Sequence, residues 1–598
     1  MNHRLAGLVP ILLLVLCALT IGLRRVGIDF RLPRTHLDGS VIVAQVKALR
    51  SQKTEGSRFK FYPLLLARAT AWLPSPDPLA SSGKDRTAKQ PTPPGEQEAL
   101  SLDEHLQRAN APWREVRIVS LFLSILLIPA TFYLLRLWLS VPWSLFAAAL
   151  IATSLLHHHY STQVRPHGTA VSSIFLALLA AIHLRRSGSI WAYALGGITA
   201  GMSVGSLHYG VFAWPPFLMA LFLRSPRAKA RGRKTLVLGF LLALGITAAF
   251  IYWCYPFHFG AEGQGFLRLQ TKERGLALNL SGQPLFLGIF NGEGFEVIPE
   301  TLWSFDPVLL IGSLAGMGLL VCRRFLRYAS SAGTLALNAE RRRDGLVVAA
   351  HCVPYVLVIG LYGNTWERFI VQLLPYCAGL TAFALAWVYS RTQPLGMGLG
   401  ILALVIPGLL CGRLAQVRSE PSTYHKAADW IADNLEPDGE RVMLFTYDDV
   451  PLLHSRDALR QNRKRRWSSM WLRYQLRTPA HFRTGPAFDV LLPPGSPGEH
   501  AKRIDQDPIA YARAEGAQYV LIDVVPEYLG WRELENARDH LRRDAELVWS
   551  ECPLRNQEGV PATLPHMHTF DWDPIQPFVR RVWESESEGP SLELYRIP

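Results

Sequence analysis

Cysteine is scarce in this chain and poorly placed for disulfide bonds. The 598 residues include only seven cysteines. Six of them fall in long apolar runs, and only Cys552 lies in the more polar C-terminal part. Disulfide-built domains and cysteine zinc sites need several cysteines at close spacing in a polar segment. Both classes are therefore excluded.

Charged residues are also few, which excludes an ordinary soluble protein. They make up 18% of the chain against 49% for hydrophobic residues, and the mean hydropathy is +0.13. A bilayer core needs roughly 20 apolar residues per helix. We predict eleven membrane spans, at residues 5–23, 116–139, 142–158, 168–184, 190–206, 209–223, 235–254, 307–322, 345–362, 368–388 and 394–413. No small-residue cleavage pattern follows Leu23, so the first span is predicted to be an uncleaved anchor.

Acidic residues are outnumbered by basic ones, 48 to 62, and the net charge of +14 would fit a nucleic-acid binder. The placement of the charges indicates membrane orientation instead. If the N-terminus is cytoplasmic, the inner loops hold seventeen basic residues and the short outer loops after the second span hold five. This is the positive-inside bias. It predicts a multi-pass plasma (inner) membrane protein whose C-terminal domain is extracytoplasmic, although Arg24 and Arg25 disagree.

The predicted fold class is a polytopic α-helical membrane protein with a C-terminal soluble α/β domain. Residues 1–414 form the membrane domain, with a large outer loop at 24–113, and residues 415–598 form the α/β domain. The loop is predicted to hold two surface helices, around 41–49 and 64–72, and then a mobile excursion over 74–112. Within the α/β domain we predict helices at 422–435, 506–516 and 530–544 and strands at 441–446, 518–524 and 591–597.

Three outer segments carry residues that could do chemistry. They are His36-Leu37-Asp38 in the first loop, the run from His157 to His167, and Trp366-Glu367-Arg368 at the start of the tenth span. All three lie on the same predicted membrane face, so they are expected to converge on one site.

A fourth segment is basic and aromatic. Residues 456–477 carry eight basic residues with tryptophan, leucine and tyrosine between them. We interpret it either as a contact for anionic lipid headgroups or a lipid-linked phosphate, or as a solvated helix face.

Four membrane segments and the tail resemble the GT-C superfamily of polyprenyl-phosphate-dependent glycosyltransferases, in the branch of protein mannosyltransferases and aminoarabinose transferases. The first is similar to the family's first loop, and it reads HLDGSVIVAQVKAL, followed by FKFYPLLL. The next three are HHHYSTQVRPHGTAVSSIFLALLA, SVGSLHYGVFAWPPFLMALFL and ERFIVQLLPYCAGLTAFAL. The tail segments HKAADWIADNLEPDGERV and EGAQYVLID resemble the outer α/β domain of many members.

The resemblance implies an inverting transferase that moves a hexose or pentose from a polyprenyl-phosphate donor to a lipid, glycan or protein acceptor outside the membrane. Asp38 would be the general base, since a carboxylate can take the proton from an acceptor hydroxyl. The alternative is that Asp38 only caps a helix beginning at Gly39. The remaining candidates are expected to bind the donor: Arg58, Lys60, Tyr62, Tyr160, Arg165, His167, Glu367 and Arg368. Arg368 has the alternative of snorkelling to the interface, and Glu367 that of pairing with a nearby cation.

Two positions depart from the family pattern. Gly39 stands where the family has Glu, and His167 stands where it has Asp in the second outer loop. The chain offers imidazoles instead of carboxylates, and imidazole suits zinc-like ions rather than magnesium. No cofactor is predicted firmly: His167 either helps to bind a divalent metal or contacts the donor phosphate directly. We favour the metal-free version.

Two rival functions remain open. The departures at Gly39 and His167 are compatible with a non-catalytic homologue. A membrane transporter or flippase would need ionisable or broken-helix sites near mid-membrane, where the spans offer mainly His183 and His351.

Overall fold

The computed structural model describes most of the chain. The described residues are 3–30, 32, 37–51, 63–74, 100–256, 267–272, 275–280, 283–329, 339–437, 439–446, 449–464, 469–478, 485–492, 504, 506–524, 535–554 and 577–598. They form two compact units. The first comprises residues 1–25, 41–74 and 115–412, and the second comprises 26–40, 75–114 and 413–598.

Helices dominate the first 434 residues. Up to that point they are α1 His3–Arg25, α2 Leu37–Arg50, α3 Leu65–Ala71, α4 Leu102–Ile125, α5 Leu127–Leu135, α6 Val141–Ala152, α7 Leu155–Ser161, α8 His167–Ser187, α9 Ile190–Ser206, α10 Trp214–Phe222, α11 Pro226–Lys229, α12 Gly232–Cys254, α13 Gly294–Phe305, α14 Pro307–Ala329, α15 Ala339–Leu361, α16 Glu367–Ile370, α17 Leu374–Arg391, α18 Gln393–Ser419 and α19 Thr423–Asn434. Short 3₁₀ turns lie at His208–Ala213, Leu287–Ile289 and Val371–Leu373.

The predicted membrane region is confirmed as a class, but the number of eleven spans is not. Seven helices of the described chain are long and apolar enough to cross a bilayer, or eight if the bent pair α6–α7 counts as one. The predicted span at 209–223 is a 3₁₀ turn followed by a nine-residue helix. The helix at Ile190–Ser206 has 17 residues. Hydropathy counts apolar residues, whereas a crossing also needs an unbroken helix of roughly 20 residues.

The most enclosed span of the membrane unit is α8. Its apolar window is 83% buried inside the protein, against 17% for α12. Gly168 makes the close packing possible at one end, because a Cβ there would lie 2.2 Å from Ser124 Oγ in α4. At the other end Gly188 adopts a left-handed conformation (φ 57°) and donates its N–H to Leu184 O at 2.8 Å. A glycine in this position ends a helix without strain.

A buried ion cluster lies where α8 ends. Arg185 is fully buried and contacts Asp344 of α15 at 2.6 Å and Glu340 at 2.8 Å. Arg186 also pairs with Asp344. These arginines were counted as inner-loop charges, and part of that charge is neutralised within the protein.

The second unit is built on a five-stranded sheet. Its strands are β4 Arg441–Phe445, β5 Asp489–Leu491, β6 Tyr519–Val524, β7 Glu546–Glu551 and β8 Ser591–Arg596, in the order β5-β4-β6-β8-β7. β4 runs parallel to β5 and β6, whereas β8 runs antiparallel to β6 and β7. Its further helices are α20 Arg456–Lys464, α21 Met470–Arg477, α22 Pro508–Ala514, α23 Glu535–Asp544 and α24 Phe578–Glu584. The predicted α/β domain is therefore confirmed, while β5 and β7 were missed.

Two segments that lie between predicted spans contain regular structure. Part of the expected excursion over 74–112 is the start of α4, where Ser101 and Glu104 form a capping box: Ser101 N donates to Glu104 Oε2 at 2.7 Å, and Glu104 N donates to Ser101 Oγ at 3.3 Å. The segment between α12 and α13 contains a three-stranded antiparallel sheet, with β1 Leu267–Lys272, β2 Gly275–Leu280 and β3 Gln283–Phe286.

A helix is present at each of the two places predicted in the first loop, as α2 and α3; their position at the membrane surface stays a prediction. The first begins at Leu37 rather than at Gly39. Asp38 is thus the second residue of α2 and lies within the first turn, not at the cap position.

Candidate functional site

The structure brings together two of the three segments singled out in the sequence. Tyr160 lies on α7, Arg165 and His167 lie at the start of α8, and Glu367 and Arg368 lie on α16. Tyr160, Arg165, His167 and Glu367 are each at most 4% exposed. They meet at the end of α8 opposite to the buried ion cluster.

The contact that joins the two segments is made by Tyr160 and Glu367. The Tyr160 hydroxyl donates a short hydrogen bond to Glu367 Oε1. Within the described chain, Glu367 Oε2 is buried and has no hydrogen-bond partner. Among the described residues the hydrogen-bond partner of Glu367 is the Tyr160 phenol and not a cation; Arg58 and Lys60 lie outside these residues. The second oxygen keeps its capacity to accept a proton or a hydrogen bond.

Short helices and their neighbours position Glu367 and Arg368. α16 has only four residues, and the Tyr355 hydroxyl of α15 donates to Phe369 O at 2.7 Å. Thr365 Oγ1 donates to Ile359 O at 2.6 Å just before it. A helix of one turn is not stable alone. These bonds to α15 hold the segment in place.

Aromatic rings surround His167. Its ring centroid lies 6.0 Å from that of Tyr160, 6.1 Å from Tyr209 and 6.2 Å from Phe369. The ring is buried, and its Nδ1 has no hydrogen-bond partner in the described chain. A buried nitrogen of this kind is costly unless something else satisfies it.

Two arginines make the surroundings of His167 positive. Both Arg165 and Arg368 act electrostatically on His167 and on Tyr160. The guanidinium of Arg368 lies 5.0 Å from the ring centroid of Trp366 and 5.6 Å from that of Phe369. Among the described residues no carboxylate lies within ion-pair distance of Arg368. An arginine held by rings rather than by an acid keeps its donors for an anion.

The first-loop candidates lie wholly or partly outside the described residues. Arg58, Lys60 and Tyr62 are outside them, as is His36. Asp38 is placed by its backbone in α2, and its side chain is not described. Their roles remain predictions.

The histidine cluster does not gather around one point. The Arg24 guanidinium can only donate, so its 3.0 Å contact makes His157 Nδ1 an acceptor. The Nε2 atom lies 3.2 Å from Ser124 O and donates to it. His159 packs against Phe305, with centroids 5.7 Å apart. In the described part of the chain, no three histidine, cysteine, aspartate or glutamate side chains are grouped to hold a metal.

Sequence reasoning missed Asp306. This carboxylate lies between α13 and α14, is 3% exposed and accepts three hydrogen bonds from the start of α7. Burial raises its pKa to about 6, although the bonds from Ser154, Leu155 and Leu156 and the charge of Arg24 act in the other direction. An acid directly before a proline that opens an apolar run was the available signal.

Comparisons with known proteins give structural neighbours only. No protein-family model matches the sequence, and no match was found among curated proteins. The solved structures similar to this chain include the oligosaccharyltransferase AglB from Archaeoglobus fulgidus, in complex with an inhibitory peptide and a dolichol-phosphate. It has a TM-score of 0.47 and 13% identity over 92% of this chain and 74% of that one.

Two further neighbours are ArnT from Cupriavidus metallidurans and the arabinofuranosyltransferase AftD from Mycobacteria. ArnT has a TM-score of 0.43 and 11% identity over 90% of this chain and 95% of its own. AftD has a TM-score of 0.40 and 14% identity. The match covers 98% of this chain but only 40% of the AftD chain. At such values no ligand or reaction carries over from a neighbour.

Proposed function

We propose that this integral membrane protein is a glycosyltransferase that moves a sugar from a polyprenyl phosphate to an acceptor on the outer face of the membrane. The observation that carries the proposal is the meeting of α7, α8 and α16. There Arg368, held by aromatic rings, lies beside buried polar groups that have no partner in the described chain. A cation close to unsatisfied polar atoms suits a lipid phosphate and the hydroxyls of a sugar.

The roles follow from the chemistry of each group. Arg368, with Arg165, neutralises the phosphate that leaves as the sugar is transferred. His167 Nδ1 faces the same region and contacts the phosphate or its sugar. Glu367, oriented by Tyr160, accepts from a sugar hydroxyl. From the sequence we propose Asp38 as the general base and Arg58, Lys60 and Tyr62 of the first loop as contacts to the donor. The proton of the acceptor hydroxyl would pass to the Asp38 carboxylate.

The test is transfer by the purified protein in nanodiscs. A panel of labelled polyprenyl-phosphate sugars is supplied with membrane lipid extract as acceptor, and release of polyprenyl phosphate is measured. Arg368→Gln should lower release by 10-fold or more, because a charge-assisted contact contributes roughly 1.5–3 kcal/mol. Arg391→Gln is the matched control. Arg391 lies 5.4 Å from the Trp387 ring at the far end of the same helical segment. Equal loss in both variants, or no release with any donor, would overturn the assignment.

The orientation is part of the proposal. The bias in basic residues places the α7–α8 turn and the C-terminal domain outside and residues 224–234 inside. Single cysteines in a cysteine-free background would show this by labelling from one side of the membrane. Labelling of the C-terminal domain from the cytoplasm alone would contradict it.

One observation favours the transporter as a second candidate. α6 and α7 meet at a 55° bend, as in a broken span or a re-entrant loop. Broken helices are a feature of transporter substrate sites. His351, by contrast, already has a partner, since its Nδ1 lies 2.6 Å from the Tyr376 hydroxyl. Lipid movement across proteoliposomes without any sugar transfer would favour this function over ours.

A further inference from the structure

The break between α6 and α7 leaves two helix ends inside the protein. α6 ends at Ala152 and α7 begins at Leu155. The last carbonyls of a helix and its first N–H groups have no partner within the helix. In an apolar environment each such group must find one elsewhere. A charged side chain from another part of the membrane unit meets each end.

Arg24, at the end of α1, meets the carbonyl end. Its Nη2 donates to Ala152 O at 2.9 Å, and its Nη1 donates to Ser161 Oγ at 3.0 Å. The residue is 1% exposed. This contact accounts for the disagreement of Arg24 with the charge bias. The side chain is an internal cap, so its charge says little about which face it belongs to.

Asp306 meets the N–H end. Its Oδ1 accepts from Leu155 N at 2.8 Å, and its Oδ2 accepts from Ser154 Oγ at 2.7 Å and Leu156 N at 3.2 Å. Ser154 Oγ in turn accepts from His157 N at 3.1 Å. The first three N–H groups of α7 are all satisfied. The anion lies at the N-terminus of α7 and the cation at the C-terminus of α6, as the helix dipoles favour.

A helix of seven residues does not form by itself, and Tyr160 lies on it. We propose that Asp306 is a positioning residue whose carboxylate, balanced by Arg24, holds α7 in the orientation that places the Tyr160 hydroxyl on Glu367. The effect on transfer rests on the proposed function. The effect on α7 does not.

Protonation of Asp306 weakens the cap. A neutral carboxyl accepts less strongly than a carboxylate: the protonated Oδ2 would donate to Ser154 Oγ, whose hydroxyl can reverse to accept, and would keep only a weaker lone pair for the Leu156 N–H. The titratable groups that act electrostatically on this carboxylate are Arg24 from α1 and Cys377 from α17. From α7, His159 packs against the adjacent Phe305. The pKa of Asp306, about 6, places the change near neutral pH.

The effect of Asp306 protonation on global stability distinguishes local loss of the α7 cap from unfolding of the protein. The folded-state pKa lies above the usual aspartate value of about 3.9, so the folded state binds this proton more tightly. Linkage then makes Asp306 favour folding more, not less, as pH falls from about 6 toward 4. A loss of order in α7 over that range is therefore local.

The experiment measures amide hydrogen exchange of residues 155–157 in the full-length protein between pH 5 and 7.5, corrected for intrinsic rates. Wild type should lose protection about 3- to 10-fold as pH falls through 6. Asp306→Asn should have low protection at every pH, and Asp306→Glu should restore part of the pH dependence. The matched control is Ser189→Ala, which removes a cap at α9 whose Oγ accepts from Ala192 N at 3.2 Å. It should behave as wild type.

Transfer is measured in parallel. Asp306→Asn should lower kcat about 10-fold at pH 7.5 and flatten its pH profile, with the KM for the donor unchanged. Unaltered protection in Asp306→Asn, or loss of protection throughout the protein in both variants, would overturn the proposal. The expected exchange pattern without transfer in wild type would uphold the positioning role and count against the glycosyltransferase.

Discussion

Buried polar groups are paired at one end of α8, whereas two at the other end lack a partner in the described chain. At the Arg185 end, a fully buried guanidinium is matched by Asp344 and Glu340, with contacts of 2.6 and 2.8 Å. At the His167 end, His167 Nδ1 and Glu367 Oε2 are buried without a partner in the described chain. One helix of 21 residues, about 30 Å long, joins them.

This difference in pairing indicates which end of α8 stabilises the fold and which end is a candidate for ligand binding. A buried charge that is paired costs the fold little compared with one that is not. Unsatisfied buried groups lower stability, so a protein keeps them mainly where a ligand or a proton will meet them. The Arg185 end is therefore a structural contact between helices, and we propose the His167 end as the candidate site.

Removing one partner at the Arg185 end should have the largest effect. Asp344→Asn leaves the Arg185 charge buried without its main acceptor, and we expect a loss of roughly 3–5 kcal/mol of stability. Thermal unfolding in a fixed detergent measures it. Glu340→Gln is the control, because that side chain is 37% exposed and its ion pair is worth about 1 kcal/mol or less. Similar small losses in both variants would contradict a structural role for this end.

Asp38→Asn should remove transfer and leave the fold intact. The substitution keeps the size of the side chain but cannot take a proton. Transfer should fall by about 10²-fold or more, with normal yield and thermal stability. Unchanged transfer would leave Asp38 as a first-turn residue of α2.

Variants of His167 test whether this residue contacts the donor phosphate directly or binds a metal ion. If His167 contacts phosphate directly, transfer resists chelators, and His167→Asp lowers it by roughly 10- to 100-fold through loss of the contact and repulsion. If the site holds a metal, chelators abolish transfer, zinc, cobalt or manganese restores it, and His167→Asp shifts the requirement toward magnesium or manganese. A stoichiometric metal bound by His167 in the purified protein would show our preference to be wrong.

Tyr160→Phe should give the smallest change. It removes one hydroxyl and releases Glu367 Oε1, so transfer should fall about 3- to 10-fold, as for one neutral hydrogen bond. Tyr255→Phe is a matched control, since its hydroxyl donates to Val204 O at 2.8 Å in a different cluster. An equal fall in both variants would mean that the Tyr160 bond serves stability only.

The sequence by itself determined the membrane class, the α/β tail and most of the helices in the candidate site. These follow from local signals, because apolar runs, alternation and turn residues act within a few positions of each other. The Ser101–Glu104 capping box is also a local signal and could have predicted the start of α4, but the sequence analysis missed it. Sequence also picked out Tyr160, His167, Glu367 and Arg368, although not which of them would touch.

Only the tertiary structure decided the partners. Tyr160 and Glu367 are 207 positions apart, Leu155 and Asp306 are 151 apart, and Arg185 and Asp344 are 159 apart. No local pattern links such pairs, because they meet only when helices pack. Packing also gave charged residues different roles that their sequence context does not distinguish. Arg24 and Asp306 cap helix ends, and Arg185 pairs with Asp344. Arg368 contacts aromatic rings and has no acidic partner among the described residues.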